Sequence, residues 1–192
     1  LSSTTKSKID IEIVQDLYKK AIEIDPDYIE PRYHYAFELV RLSQLDKAMT
    51  ELNQAMIIAK KNKDNSGIAG INTMYGIIYK NKGRYEEAIQ SYEIALEIRV
   101  NEKKLQDEAK VLNGLAQCYN LLNNNDKAFE YYNRSIEIKR RIDDKQGVAN
   151  SLSNLSISYR KVGDYSKAIN YSKEAIEYFN DIDNPSSRYR NL

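Results

Sequence analysis

Apolar and small residues recur along most of this chain at intervals of three and four, the spacing of one face of a helix, and short polar stretches interrupt the pattern. From Tyr75 to Leu96 they fall at Tyr75, Gly76 and Tyr79, and after a break at Ala88, Tyr92, Ala95 and Leu96. The break holds Gly83, and glycine takes a positive φ at little cost where a helix must end. Glu86 follows, in a place where an acidic side chain favours the first turn of a new helix. The pattern predicts a helical hairpin, helix A followed by helix B.

The hairpin recurs. Ala48, Ala88, Ala128 and Ala168 stand forty residues apart, and so do Ala55, Ala95, Ser135 and Ala175. In helix A the matching columns are Tyr35, Tyr75, Leu115 and Leu155, then Ala36, Gly76, Ala116 and Ser156, then Leu39, Tyr79, Tyr119 and Tyr159. These in-phase columns, over four copies, define repeats at about 29–68, 69–108, 109–148 and 149–188, with a half repeat at about 10–28. Shifted by forty, Arg188–Leu192 overlies Val148–Leu152, so a further repeat is expected to begin at 189–192 and the chain to belong to something larger. Nine helices are expected, the first a lone B-type helix near residues 10–24. Small residues in the alanine columns let backbones approach, and a larger side chain there would cost about 1–3 kcal/mol in overpacking. At the turns Gly83 and Gly163 are glycine, whereas Ser43 and Asn123 stand at the other two, and asparagine tolerates the left-handed conformation. Gly67 and Gly147 mark the entry to helix A in two repeats.

Small residue, aromatic, turn glycine, aromatic, alanine, aromatic and alanine, in that order, resembles the tetratricopeptide repeat. Residues 69–108 match it best, through Gly76, Tyr79, Gly83, Tyr85, Ala88, Tyr92 and Ala95. The repeat at 109–148 departs at its turn, where Asn123 and Asn125 replace glycine and tyrosine, and Tyr18, Ala21 and Pro26 match only the second half of a repeat. The resemblance covers residues 10–182. It implies an all-α, right-handed α-solenoid of antiparallel hairpins, a single array from 1 to 192, and a groove lined by the A helices on the concave side. The usual tetratricopeptide repeat has about 34 residues, so forty leaves about six extra, or ~9 Å of helix per hairpin. Repeats of this length resemble those of bacterial sensory regulators and some animal scaffold proteins.

Composition narrows the function. The formal net charge is +1, with 30% charged residues, which gives no global reason to expect nucleic acid or an anionic membrane as partner. No apolar run approaches the ~20 residues that span a bilayer. One cysteine, Cys118, excludes an internal disulfide and a multi-thiol metal site, in keeping with the cytoplasm as the expected compartment. The single histidine, His34, has no second imidazole to make a metal or catalytic site with, and is expected on the surface or in the groove. No glycine-rich phosphate loop is present, and Gly70 and Gly114, which fall outside the turn columns, begin no recognised motif. The basic clusters Lys60-Lys61 and Lys139-Arg140-Arg141 sit at B-helix ends, where cations suit the dipole. Neither a cofactor nor enzymatic chemistry is expected.

What remains is a surface. Counting Ala69, Ala109 and Ala149 as position 1, packing residues take positions 4, 7, 8 and 11 of helix A, which leaves 2, 5, 6, 9, 12 and 13 for the groove. The charges there are five basic (Arg41, Lys80, Lys110, Arg160, Lys161) and one acidic (Glu30). Six amides join them: Asn81, Asn113, Gln117, Asn120, Asn150 and Asn154. An amide both donates and accepts, so a row of them can hold the backbone of an extended peptide whatever its sequence. Phe37, Ile77 and Ile157 add apolar contacts. The expected function is a non-catalytic scaffold that binds a protein or peptide, extended and acidic, in this groove. The alternative is a sensory or regulatory module of a larger signalling protein, a histidine kinase or transcription regulator, and an enzyme is a distant third. Tyr171, Ala175, Tyr178 and Phe179 on the last B helix predict an apolar surface through which the chain could self-associate.

Overall fold

The computed structural model describes residues 3–183, with side chains for 12–182. Among them are nine helices and no strands: α1 (Ser3–Ile24), α2 (Ile29–Arg41), α3 (Leu45–Lys61), α4 (Asn65–Asn81), α5 (Tyr85–Asn101), α6 (Leu105–Leu121), α7 (Asn125–Arg141), α8 (Lys145–Lys161) and α9 (Tyr165–Asp183). Helix α1 begins well before the expected residue 10. The start of a further repeat at 189–192 lies outside the described residues.

Each helix packs on its neighbours in sequence. In addition the backbones of α2 and α4, α4 and α6, and α6 and α8 come close, whereas the described B helices reach one another through long side chains, as Arg140 of α7 does to Glu174 of α9. Helices that meet along one side lie on the shorter, inner arc, so the A helices α2, α4, α6 and α8 line the concave side and the B helices the convex side. The result is an α-solenoid, in which each hairpin rests only on its neighbours.

The backbone has a finer period than the side chains. Helices α3 to α8 each have 17 residues, about 26 Å of helix, and three-residue turns join them. Ser43, Lys63, Gly83, Lys103, Asn123, Asp143 and Gly163, spaced by twenty, all have positive φ, between 54° and 83°. Each turn closes in the same way. At the first, the Ser43 N–H donates to the Val40 carbonyl at 3.0 Å and the Gln44 N–H to the Leu39 carbonyl at 2.8 Å; at the last, Gly163 and Asp164 repeat this on Arg160 and Tyr159. This is the Schellman closure, which satisfies carbonyls a helix would leave open. The turns between repeats, at Lys63, Lys103 and Asp143, thus copy those within repeats, although no glycine marks them. A side chain in the left-handed region costs about 1–2 kcal/mol, of which glycine's greater unfolded-state freedom offsets about half. Lys63→Gly, Lys103→Gly and Asp143→Gly combined are therefore expected to raise the urea midpoint, by about 2 kcal/mol of stability; an unchanged midpoint would show that the turns carry no such strain.

The small-residue columns sit where two helices meet. Ala36, Ala48, Ala55, Ala88, Ala95, Ala116 and Ala128 are fully buried. Ser135 keeps its place in the alanine column because its hydroxyl donates to the Ala109 carbonyl at 2.7 Å, and Ser156 does the same toward Ala168 at 2.8 Å. Gly67 and Gly147 lie in the first turns of α4 and α8, where the Asp64 and Asp144 carboxylates accept their N–H groups at 2.9 and 2.8 Å. A Cβ at either glycine would meet the capping carboxylate at 2.2 or 2.0 Å. At the A-to-B turns the tyrosine column stacks with cations above it: Tyr159 lies parallel to Phe129 at 4.1 Å and Tyr171 at 5.4 Å, with the Lys167 ammonium 5.0 Å from its centroid.

Candidate functional site: the concave groove

The inner surface is more closed than the helical wheel predicts. At position 6, Met74 is in the core with Ile71 and Ile78, and Gly114 is buried against the Tyr92 ring, which comes through from α5. Ile77 is half-buried and packs against both halves of the core, so it is a structural residue rather than the free groove contact expected of it. Phe37 on α2 and Ile157 on α8 are exposed as expected.

Between α4, α6 and α8 the groove deepens into a cavity of about 300 Å³. Lys80 and Asn81 come from the last turn of α4, Gln117, Asn120 and Leu121 from α6, and Asn154 and Ile157 from α8, with Tyr132 of α7 in the floor. Six of the sequence-predicted residues therefore meet in one place: Lys80, Asn81, Gln117, Asn120, Asn154 and Ile157. Tyr132 has no counterpart in the helix A reading, because it belongs to a B helix. Its column with Tyr92 was the available signal: a large ring in the packing column of helix B reaches the groove wherever the A helices leave room.

The electrostatics of the cavity are uneven. The Lys80 ammonium donates to the Gln117 amide oxygen, and among the described residues no carboxylate lies within ion-pair reach of it. Burial pushes its pKa below the ordinary lysine range, and the nearby Cys118 thiol opposes this. Cys118 itself is fully buried, and burial raises its thiol to about 11, which keeps it protonated and unreactive. The Asn120 amide oxygen is buried with no hydrogen-bond donor among the described residues. Tyr132 is held with its hydroxyl protonated, since burial raises its pKa to about 12 while a hydrogen bond with Ser158 works the other way.

The remaining predicted cations differ. Arg41 pairs with Glu38 one turn back on its own helix at 3.0 Å, and Lys110 pairs with Asp107 at 3.4 Å. Both pairs are solvent-exposed on the cation side, where such pairing is worth about 0.2–1 kcal/mol, so these charges are partly neutralised rather than free for a ligand. The Lys161 ammonium donates to the Asn120 carbonyl at 2.7 Å. Asn113 accepts a hydrogen bond from Ser151 at 3.2 Å, and Asn150 accepts one from Gln146 at 3.3 Å. Arg160 is exposed at the edge of a second, mainly apolar cavity of about 490 Å³ that runs along α9. The apolar surface of α9 differs from expectation. Tyr171, Tyr178 and Phe179 are half-buried against the core and Ala175 is buried, while Tyr165, Ile169 and Ile176 are the exposed residues.

Two cations near the ends of B helices are buried, Lys139 of the basic cluster read from the sequence and Arg99, which that reading passed over. Arg99 and Lys139, forty apart, have relative exposures of 7% and 6%. Arg99 donates to the Ser66 hydroxyl and to Glu102, both at 2.9 Å, and lies 3.6 Å from Asp107. The Lys139 ammonium donates to the Ser151 hydroxyl at 2.7 Å. The signal was a cation in a column that holds Ala59 and Phe179 in the other repeats. His34 is exposed, stacked on Tyr18 and edge-on to Tyr33. Among the described residues no cluster of three or more metal-ligating side chains occurs, and no helix is long and apolar enough to cross a membrane.

Stacked hairpins with a groove of amides and a half-buried cation define an α-solenoid interaction module. The model described as tetratricopeptide repeat matches residues 67–141 and again 107–181. The chain belongs to the tetratricopeptide repeat family, whose fold is a scaffold for protein interactions. It is 32% identical over 114 residues to tetratricopeptide repeat protein 29 of Macaca fascicularis, a match that takes in 57% of this chain and 24% of that protein. The chain thus matches about a quarter of the length of that curated relative. Among solved structures, BtubC (BKLC) from P. vanneervenii superposes with a TM-score of 0.74 at 21% identity, covering 93% of this chain and 74% of that one. A Rap protein complexed with competence and sporulation factor superposes with a TM-score of 0.78 at 18% identity, covering 90% and 51%. At these identities the likeness is one of fold.

Proposed function

We propose that this chain binds a peptide or an unfolded segment of a protein along the concave face of its A helices, and that the ligand is extended and acidic. The observation that carries the reading is the cavity between α4, α6 and α8. It places a half-buried ammonium with no carboxylate partner among the described residues beside four amides, one of which has a buried and unpartnered oxygen. A buried cation held only by a neutral oxygen is under-compensated, and an incoming carboxylate supplies what is missing. The amides of Gln117 and Asn154 stand where a ligand backbone would replace water. Each hydrogen bond lost in such a water-excluded site costs about 1–3 kcal/mol. Arg41 and Lys110 then contribute attraction at a distance, screened by salt.

A peptide-array screen followed by titration of the strongest hit tests this. Gln117→Ala with Asn154→Ala is expected to weaken binding at least ten-fold while the circular dichroism spectrum is unchanged; equal affinity would move the site to the convex face or the ends. The Rap protein, of the same fold and complexed with competence and sporulation factor, supports a regulatory module as the second reading. A ligand-induced change in the solenoid's radius of gyration would favour it, and an unchanged radius would favour a passive scaffold.

A further inference from the structure

Arg99 and Lys139 occupy the same repeat position, are buried to the same degree and both reach toward the A helices, yet their surroundings differ. Arg99 has two carboxylates, Glu102 at 2.9 Å and Asp107 at 3.6 Å. Forty residues on, those positions are Ile142 and Gly147. Lys139 keeps a buried charge in a repeat that has lost both counter-charges, and among the described residues no carboxylate is within ion-pair reach of it. Asp144 attracts it without pairing, that carboxylate being the cap of the Gly147 N–H at 2.8 Å, while Lys110 repels it. What it does have is a hydrogen-bond chain. Its ammonium donates to the Ser151 hydroxyl at 2.7 Å, and that hydroxyl donates to the Asn113 carbonyl oxygen at 3.2 Å. The chain leaves the Asn113 NH2 group, polarised by the charge behind it, as the donor on the groove side of α6.

Asn113 and Gln117 are four residues apart on α6, one turn or ~6 Å along the helix. Gln117 is the partner of the other unpaired ammonium, Lys80. One face of α6 therefore carries two positive positions in succession, the Lys80 ammonium beside Gln117 and the Lys139-backed amide of Asn113. In an extended chain, side chains two residues apart share a face and are separated by about 6.6 Å.

Building on the groove reading above, we infer that the ligand carries a pair of acidic side chains two residues apart, one held by Lys80 in the cavity and the other by Asn113 with Lys139 behind it. The missing counter-charge of Lys139 is supplied by the ligand, as Glu102 supplies it to Arg99 within the protein.

The test uses N-acetylated, C-amidated heptapeptides Gly-Ser-Glu-Ser-Glu-Ser-Gly, their single Gln and double Gln analogues, and the same acidic peptide with a free C-terminal carboxylate, measured by isothermal titration. Each acid is expected to contribute about ten-fold in affinity, as a charge-assisted hydrogen bond does. Lys80→Met removes one factor. Ile142→Glu, which keeps the ammonium and gives it the partner Arg99 has, removes the other, and so does Lys139→Met if that variant folds. A free C-terminus that binds better than the amidated peptide by more than one acid's worth would assign the sites to a chain terminus and overturn the inference. So would an Ile142→Glu variant with undiminished preference for the acidic pair. Array hits that depend on Gln117 and Asn154 but show no preference for paired acids would overturn the inference and leave the groove reading standing. Hits that bind independently of Gln117 and Asn154 would remove both.

Discussion

Gly76→Ala is expected to destabilise this protein in the wild-type background and to stabilise it when Tyr92 is leucine. The Tyr92 ring passes between α4 and α6, and a Cβ at Gly76 would lie 2.6 Å from it, one at Gly114 2.7 Å. Both contacts are with the ring of a side chain that is itself 2% exposed, so nothing flexible is available to give way. Overpacking of this kind costs about 1–3 kcal/mol. Alanine in a helix interior gains about 1 kcal/mol over glycine, which offsets part of that. In the repeat before, the same positions hold Ala36 and Leu52, both fully buried, which shows that the smaller pairing packs. With Tyr92→Leu in place the steric cost is gone and only the helix gain of Gly76→Ala remains. Urea denaturation of the four proteins of this cycle gives the sign directly. A loss of the same size in both backgrounds would show that the glycine is required by the backbone and not by the ring.

Tyr132→Ala is expected to cost about 3–5 kcal/mol, the range for removing a large buried ring, and to abolish ligand binding in the groove as well. The ring is 1% exposed in the core and also forms the floor of the cavity that holds Lys80, Gln117 and Asn154. Tyr132→Phe separates these roles. It removes only the hydrogen bond with Ser158, costs about 1 kcal/mol, and keeps the cavity floor, so peptide affinity is expected to change by less than two-fold. A Tyr132→Phe variant that loses binding would mean that the hydroxyl meets the ligand. A Tyr132→Ala variant that is folded and binds normally would place the site away from this cavity.

Much of the architecture was legible in advance, because the features that set it are local and repeated. Forty-residue columns of alanine identified the hairpins, and Glu86 after the break at Gly83 located the start of a helix B, which begins at Tyr85. Ser43 and Asn123 were recognisable as turn residues only because Gly83 and Gly163 occupied the same column. The turns between repeats had no such glycine, so the left-handed conformations of Lys63, Lys103 and Asp143 could not be read from residue type. A Schellman turn is fixed by its hydrogen bonds, and a lysine or aspartate will take the strain when those bonds and the packing on both sides require it.

The candidate site was legible to a smaller extent, and particular residues show why. A helical wheel places Lys80, Gln117, Asn120 and Asn154 on the inner face, and the structure brings those four together. The same wheel gives Ile77 to the groove, where it packs against the core instead. It also treats Arg41 and Lys110 as free cations, although Glu38 and Asp107 sit one turn away on their own helices. Gly114 began no recognisable motif, and its purpose is to admit a ring from another helix.

The sequence by itself determined the repeat, the helices and the face each helix turns inward, since these follow from the spacing of residue types within one hairpin. Only the tertiary structure decided which inward residues remain open and which charges lack partners. Whether Lys139 is solvated or buried depends on α6 and α8 closing over it, and whether Arg99 is neutralised depends on residues three and eight positions further along the chain. Apart from Glu102, which caps Arg99's own helix, those are contacts between elements, made after the helices form, and no period along one helix encodes them.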